Sequence, residues 1–254
     1  MGLHYSLDVY MARLDDWFLP VYIGWGIAMV CFYLFYWKSI RTGFKHHCSG
    51  MSWQCNMWNF ANDFVYVAGF SRWWNPDSPT HHWFTMFLWV GLVVWFIMEF
   101  IAHYQTIKWD LQTEIFPHAK SRRNAILMYW GVQVCFIGAY WFLWSVMEDP
   151  LCHIMFLTTF TGCVIWNFQM SSKRQSRKGV HVSVPIALII AQAVGYFVIM
   201  PSFDPIMQNF YVYFAGVCAT GLAVAYFIYW RSLPGYEPAN GTSGDSPAKI
   251  GEPA

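Results

Sequence analysis

Asp63 is the residue whose type and position point most directly to chemistry. It lies in the run Asn59-Phe60-Ala61-Asn62-Asp63-Phe64-Val65-Tyr66, inside an apolar stretch from Gln54 to Phe70. A carboxylate is costly in hydrocarbon, so an acid at membrane depth is expected to be neutral, paired or exposed to a water-filled cavity. A neutral carboxyl group can donate a proton, and proton transfer is therefore the chemistry that this position predicts.

A second acid, Glu99, lies in the next apolar segment, four residues before His103. This spacing puts both side chains on one face of a helix, one turn apart. The favoured interpretation is a carboxylate that orients a histidine. The alternative is a metal site that has Asp63, Glu99 and His103 as ligands. The sequence contains no His-Glu-x-x-His motif and no multi-histidine box, so a site without a metal is preferred.

The composition is that of a membrane protein. Hydrophobic residues make up 57% of the chain and charged residues only 11%, whereas about 25% of a soluble domain is charged. The net charge of +1 gives no support for nucleic-acid binding. The first residues lack the basic region of a cleavable signal, so the first apolar segment is expected to be retained. Seven scattered Cys residues without a Cys-x-x-Cys motif predict free thiols instead of a disulfide framework.

A membrane-spanning helix needs about 20 mostly apolar residues. The segments that meet this requirement are Phe18–Trp37, Gln54–Phe70, His82–Tyr104, Ala125–Val146, Leu151–Met170, Ser183–Met200 and Asn209–Trp230. The loops after the first, third and fifth segments carry several Lys and Arg residues each, whereas the opposite loops carry only Arg72. This pattern predicts an N-terminus outside and a C-terminus in the cytoplasm.

The predicted fold class is therefore all-α, an integral-membrane bundle of seven helices. Residues 1–233 form this domain, and residues 234–254, rich in Pro, Gly and Ser, are predicted to be a disordered cytoplasmic tail.

The opposite directions of the second and third segments bring their acids to a similar depth. Asp63 and Glu99 are predicted to lie within roughly 10 Å of each other along the membrane normal. Other polar residues fall in the same cytoplasmic half, and together they predict one polar-lined cavity that opens to the cytoplasm. The alternative is that these groups form hydrogen bonds between helices. The additional residues are Gln133, Asn167, Gln192 and Thr220.

The first two segments resemble the integral-membrane terpene cyclases of fungal meroterpenoid and indole-diterpene pathways and their bacterial relatives. The segment from Asn59 to Tyr66 is similar to a family segment that reads roughly Asn-x-Ala-Trp-Glu-Phe-Val-Tyr. The family's Glu is Asp63 here, its Trp is Asn62, and the acid on its last helix aligns with Thr220. Shorter matches are Gly24-Trp25, Lys38-Ser39, Gly50-Met51, Ser176-Arg177, Gly179, Tyr229 and Arg231.

The resemblance implies acid-started cyclisation of a lipophilic isoprenoid, prenylated or epoxidised, in a site without a cofactor. Asp63 would be the proton donor, and Glu99 would be the partner acid or the final base. Membrane lipid would surround the protein, in the endoplasmic reticulum of a eukaryote or the plasma membrane of a bacterium. The residues expected to bind the substrate are Trp58, Asn59, Asn62, Tyr66, Trp95, Gln133, Asn167, Gln192 and Thr220.

Two other functions are compatible with the same acids. Asp63 and Glu99 are also suited to a proton-coupled carrier or sensor, as a protonatable pair that drives a conformational change. Together with His103 they are suited to a metal-dependent membrane oxidase subunit. Carriers use kinked helices, but Pro20, Pro185 and Pro201 all lie at segment edges. This placement favours a rigid bundle, as the pocket of a cyclase would be.

Overall fold

A computed structural model describes residues 5–236 of the chain, and every regular element within that range is a helix, so the all-α prediction is confirmed. A π-helical segment, Thr106–Ile115, prolongs the α-helix Trp83–Gln105. Another, Gly195–Ile199, joins the α-helix Ser183–Val194 to the α-helix Met200–Phe203. A short 3-10 turn at Pro205–Met207 precedes the last helix. The α-helices are α1 (Leu7–Asp15), α2 (Leu19–His46), α3 (Trp53–Ala68), α4 (Phe70–Trp74), α5 (Trp83–Gln105), α6 (Arg122–Met147), α7 (His153–Arg174), α8 (Ser183–Val194), α9 (Met200–Phe203) and α10 (Phe210–Ser232).

Five helical stretches are long and apolar enough to cross a membrane. Large apolar side chains such as Val134 and Phe210 point away from the bundle, with 68% and 72% of their surface exposed. A continuous apolar exterior of this kind is expected where lipid surrounds the protein. The prediction of a membrane protein is confirmed at this level. The five stretches are Leu19–His46, Trp83–Ile115, Arg122–Met147, Ser183–Phe203 and Phe210–Ser232.

The helices α3 and α7 coincide with the second and fifth predicted segments but are not among these five. The helix α3 has 16 residues and is about 24 Å long, which is shorter than the ~30 Å hydrocarbon core. The helix α7 ends in Lys173 and Arg174 and carries several polar side chains.

The helix that carries Asp63 is enclosed by protein. It packs against α5, α6 and α7, while α2 packs against α5 and α8, and α10 against α7 and α8. Most side chains of α3 are buried, including all the polar ones from Asn56 to Asp63. This enclosure explains how a helix of low hydropathy fits the bundle, because its polar groups contact other helices instead of lipid.

The region after the third predicted segment is helical, not a loop, as far as Ile115. Its acids meet the end of α7, where Arg174 Nη2 lies 2.9 Å from Asp110 Oδ2 and Nε lies 3.0 Å from Glu114 Oε1. Arg174 Nη1 also donates to the Ser49 carbonyl at 2.8 Å. Burial opposes the charge on Arg174, but Cys48, Glu114 and Asp110 favour it, and the net effect is a raised pKa. The charged Arg174 therefore ties three parts of the chain together at this end.

The loop between α2 and α3 returns closely against α2. A Cβ atom added at Gly50 would lie 1.8 Å from the Ser39 carbonyl oxygen, and one at Gly43 would lie 2.8 Å from the Cys48 carbonyl oxygen. Only glycine allows such approaches of two backbones. The two glycines thereby determine where α3 begins and how it faces its neighbours.

Of the predicted tail, only residues 234–236 are described. The Pro234 carbonyl accepts a hydrogen bond from the Arg177 amide at 3.1 Å, and the ring of Tyr236 lies 4.8 Å from that of His46. The remainder, residues 237–254, lies outside the described residues, as do residues 1–4.

Gly50→Ala is expected to lower the melting temperature of the protein in detergent, because the Ser39 backbone must move to admit the methyl group. Overpacking of this kind costs roughly 1–3 kcal/mol. Gly131→Ala is the matched control, since a Cβ atom there has no neighbour within 4 Å and alanine favours a helix interior by roughly 0.5–1 kcal/mol. Equal melting of the two variants would contradict the close approach at Gly50.

Candidate active site

The structure brings Asp63 and Glu99 together in the interior of the bundle. Their exposed fractions are 2% and 0%, and each carboxyl group is a close polar neighbour of the other. Asp63 Oδ2 and Glu99 Oε2 have no hydrogen-bond partner among residues 5–236. Two contacting carboxyl groups in a medium of low polarity cannot both be charged. The pair therefore holds at least one proton between its oxygens.

The other oxygen of Glu99 is oriented from α2. Tyr36 Oη donates to Glu99 Oε1 at 2.6 Å, and Asn59 Nδ2 donates to Tyr36 Oη at 2.8 Å. Cys163 Sγ contacts Asn59 Oδ1 at 3.4 Å, which extends the set of contacts to α7. Asn59 thus acts on Glu99 through a phenol and makes no direct bond to Asp63.

The other oxygen of Asp63 is oriented from α6. Asn62 Nδ2 donates to Asp63 Oδ1 at 2.6 Å, and the Tyr140 hydroxyl donates to Asn62 Oδ1. Each acid is therefore supported by one asparagine of α3 and one tyrosine of another helix.

Tyr36 and Tyr140 were missed by the sequence analysis. A buried phenol needs a hydrogen-bond partner, so a tyrosine near the centre of an apolar segment is a usable signal. The chain has 15 Tyr residues, however, and most helices contain at least one. The sequence pattern alone did not single out these two.

A cavity with aromatic walls adjoins the acid pair. Phe32 and Phe160 face each other at 4.4 Å between ring centroids, and Trp95 lies 5.7 Å from Phe32. The space open to the centre of a water-sized sphere is about 10 Å³, which accommodates about one water molecule. A pocket for a drug-sized ligand has several hundred Å³, so the cavity is closed to such ligands in this conformation. Its walls are Phe32, Tyr36, Asn59, Asn62, Asp63, Trp95, Phe156, Thr159 and Phe160.

The expectation of one polar cavity fed by six helices is wrong. Gln133, Asn167 and Gln192 are buried, but none of them lines the cavity beside Asp63. They form hydrogen bonds to neighbouring groups instead, which is the alternative to a polar cavity that the sequence left open. Gln133 donates to the Met57 carbonyl at 3.0 Å, Asn167 accepts from the Ser52 amide before α3 at 3.1 Å, and Gln192 accepts from the Thr161 hydroxyl at 3.4 Å.

The remaining predicted substrate-binding residues are dispersed. Trp95 lines the cavity, whereas Trp58 does not line it. Trp58 packs against Tyr140, with 5.3 Å between the ring centroids. Tyr66 stacks on Trp73 at 4.1 Å. Thr220 lies on α10, which packs against α7 and α8, and no residue of α10 reaches the cavity. Only Trp95, Asn59 and Asn62 of the predicted substrate-binding set therefore lie beside the acid pair.

The alternative metal set is not assembled. His103 Nδ1 lies 2.6 Å from Tyr129 Oη on α6, while Glu99 is bonded to Tyr36 on α2. The two side chains share a face of α5 but turn to different partner helices. Over residues 5–236, no three His, Cys, Asp or Glu side chains gather as metal ligands. The predicted orientation of His103 by a carboxylate is also wrong, since a phenol takes that place.

A larger cavity lies at the Arg174 end of the bundle, and we call it the Arg174 pocket. Its volume is about 270 Å³. Thr106 is on its wall, seven residues from Glu99 along the helix, or about 10 Å away. The walls include both ion-paired acids and polar groups at the start of α3. The lining residues are Ser49, Met51, Ser52, Trp53, Gln54, Thr106, Asp110, Glu114, Ile115, Gln169, Met170, Lys173 and Arg174.

The fold and the site define the class of protein as a helical membrane protein that holds two contacting carboxyl groups in its interior. The chain matches no protein-family model, no curated protein and no solved structure.

A protonated carboxyl group at Asp63 and Glu99 is expected at neutral pH. Infrared spectra of the protein in detergent should contain the C=O stretch of a protonated carboxyl, which each of Asp63→Asn and Glu99→Gln shifts and the double variant removes. Asp77→Asn, at an exposed turn, is the control. Identical spectra for the native protein and the double variant would show that both acids are ionised.

Proposed function

We propose that this chain is a membrane-embedded acid catalyst of the terpene-cyclase type. It starts the cyclisation of a prenylated or epoxidised isoprenoid by protonating it from Asp63. The observation that carries the proposal is the contact between Asp63 and Glu99 beside an aromatic-walled cavity. That arrangement combines a held proton with surfaces that stabilise a cation, and a lipophilic substrate can approach it from the bilayer.

The proposed reaction begins when Asp63 transfers its proton to an epoxide oxygen or alkene carbon. The charge left on the pair is stabilised by the hydrogen bonds from Tyr36 and Asn62. The faces of Phe32, Trp95 and other wall residues stabilise the carbocation by about 0.5–2 kcal/mol each. Both acids are protonated at the start, and Glu99 passes its proton to Asp63 once Asp63 has given up its own. The Glu99 carboxylate then takes the proton that the last cation releases, so the product is an isomer of the substrate.

The cavity must enlarge for this reaction. Its free space of about 10 Å³ holds no isoprenoid, so the substrate must displace aromatic side chains from the wall. The rings meet one another edge-on or tilted, as Phe32 and Phe160 do. Such side chains can move by rotation about their own torsions, without the breakage of a backbone hydrogen bond.

Membranes that contain the native protein are expected to convert members of a panel of prenylated aromatics and their terminal epoxides to cyclic isomers of unchanged mass, detected by mass spectrometry and NMR. Asp63→Asn should abolish conversion without a change in melting temperature, since it is isosteric and removes only the proton. General acids contribute roughly 10²–10⁴-fold to rates. Asp77→Asn, the exposed control, should retain activity. Asp63→Glu tests whether activity depends on the aspartate side chain being shorter than a glutamate.

Conversion by Asp63→Asn at the native rate would remove Asp63 from the mechanism. Unfolding of Asp63→Asn would show that the acid is structural.

The proposal includes seven membrane crossings, with α3 and α7 as the second and fifth. Burial of the α3 polar groups by α5, α6 and α7 supports this, because α3 then crosses without facing lipid along its polar side. The proposal has the N-terminus outside and the C-terminus in the cytoplasm, as the excess of Lys and Arg in alternate loops predicts. The membrane is the endoplasmic reticulum in a eukaryote and the plasma membrane in a bacterium.

Tags fused to the two ends of the chain are expected on opposite sides of sealed membrane vesicles, because the number of crossings is odd. Protease treatment of intact and of opened vesicles distinguishes the two sides. Protection of both tags, or loss of both, in intact vesicles would contradict seven crossings.

A second candidate function is a proton-coupled carrier or sensor. The small cavity favours it, since a proton needs no more space than the site provides. Proton flux into proteoliposomes that Asp63→Asn abolishes, together with no conversion of any substrate in the panel, would favour this function over the cyclase.

A further inference from the structure

We infer that the acid pair exchanges its proton with the Arg174 pocket through a file of buried polar side chains, with Tyr129 at its centre. The inference deepens the proposed function and rests on it only in treating the pair as the group that holds the proton. A pair sealed inside the bundle keeps a fixed proton count unless a path connects it to water. The path determines which side of the protein sets that count.

The entrance of the path is the wall of the Arg174 pocket. The pocket volume of about 270 Å³ holds several water molecules. The wall carries two cations, Lys173 and Arg174, and two acids, Asp110 and Glu114, and Arg174 pairs with both acids. Thr106 lies on the same wall, seven residues after Glu99, at the start of the π-helical segment that prolongs α5.

The centre of the path is the hydroxyl of Tyr129, a residue with no exposed surface. It lies 2.6 Å from His103 Nδ1, and the side chains of Thr106 and Asn56 are its other polar neighbours. Tyr129 belongs to α6, Asn56 to α3, His103 to α5 and Thr106 to the π-helical segment that follows α5. The Tyr129 phenol therefore joins the pocket wall to Asn56 and His103, the polar residues near Glu99.

The part of the path nearest the acid pair contains polar atoms that lack a protein partner. Asn56 Nδ2 approaches the Glu99 carbonyl at 3.5 Å. Four buried atoms in this region have no hydrogen-bond partner in the described part of the chain, namely Asn56 Oδ1, His103 Nε2, Gln133 Oε1 and Glu99 Oε2. Buried polar atoms are rarely left unpaired, and ordered water is the usual partner where protein supplies none. Water at these atoms completes the file to the carboxyl pair.

The transfer conserves protons at every step. Pocket water gives a proton to the Thr106 hydroxyl as this hydroxyl passes its own proton to Tyr129 Oη, and Tyr129 Oη passes its own proton to His103 Nδ1. His103 releases the proton on Nε2 to the bridging water, and that water protonates Glu99 Oε2. The net result is one proton moved from the pocket to the pair. Asn56 orients the water and releases no proton, and the reverse sequence removes a proton from the pair.

The test is hydrogen–deuterium exchange of the pair without substrate. Protein in detergent is diluted into D₂O, and the shift of the carboxyl C=O stretch, assigned with Asp63→Asn and Glu99→Gln, is followed over time. Tyr129→Phe keeps the ring and removes the relay, so exchange should slow at least tenfold. Thr106→Val, which is isosteric, should slow it too. Tyr226→Phe removes an equally buried hydroxyl on α10 and should leave the rate unchanged.

Slow exchange in both path variants with a native rate in Tyr226→Phe supports the path, whether or not the cyclase assay succeeds. Native exchange rates in Tyr129→Phe and Thr106→Val would overturn it. If Tyr129→Phe fails to fold, Thr106→Val alone decides, because it changes one hydroxyl and no volume. The absence of cyclised products would count against the proposed function and not against the path.

Discussion

The contact between two buried carboxyl groups is the constraint on which the rest of this bundle depends. Asp63 and Glu99 lie where no charge is stable unless it is compensated, so they share a proton and take the remaining hydrogen bonds from their surroundings. Glu99 takes its bond from Tyr36 of α2. Asp63 takes its bond from Asn62, which in turn accepts a hydrogen bond from Tyr140 of α6. The helix α3 must therefore lie inside the bundle, and more apolar helices such as α6 and α10 must form its exterior.

A different device neutralises charge at the end of α7. Arg174 is as enclosed as the acid pair, with 5% of its side chain exposed, but it keeps its charge because Asp110 and Glu114 surround it. A guanidinium cannot lose its proton in a protein, so opposite charges must come to it. Carboxyl groups can be neutralised by a proton and need no such partner. The two polar centres thus follow the chemistry of their residues, and Tyr129 and His103 lie between them.

The aromatic content of the chain acquires a specific role near the acids. Phe32, Trp95 and Phe160 close the cavity to a size that excludes a substrate and bulk water while leaving the acid beside π faces. For a cyclase, this closed state protects the proton until a substrate displaces the rings. For a carrier, the same closure would be the state between openings to either side. The chemistry of the walls favours the first function, and the free volume suits the second.

The amino-acid sequence predicted the helices and the membrane character, because hydropathy locates apolar helices, and the rise per residue predicted a similar depth for Asp63 and Glu99. It did not determine which way each side chain turns around its helix axis. Gln133, Asn167 and Gln192 share the predicted depth yet bond to parts of the chain other than the acid pair, and Glu99 and His103 share a face yet turn apart. Tyr36 and Tyr140 reach the site only because α2 and α6 pack with those faces inward. Hydropathy carries little information about rotation in a bundle that is apolar on nearly all sides, so tertiary packing alone decided these partners.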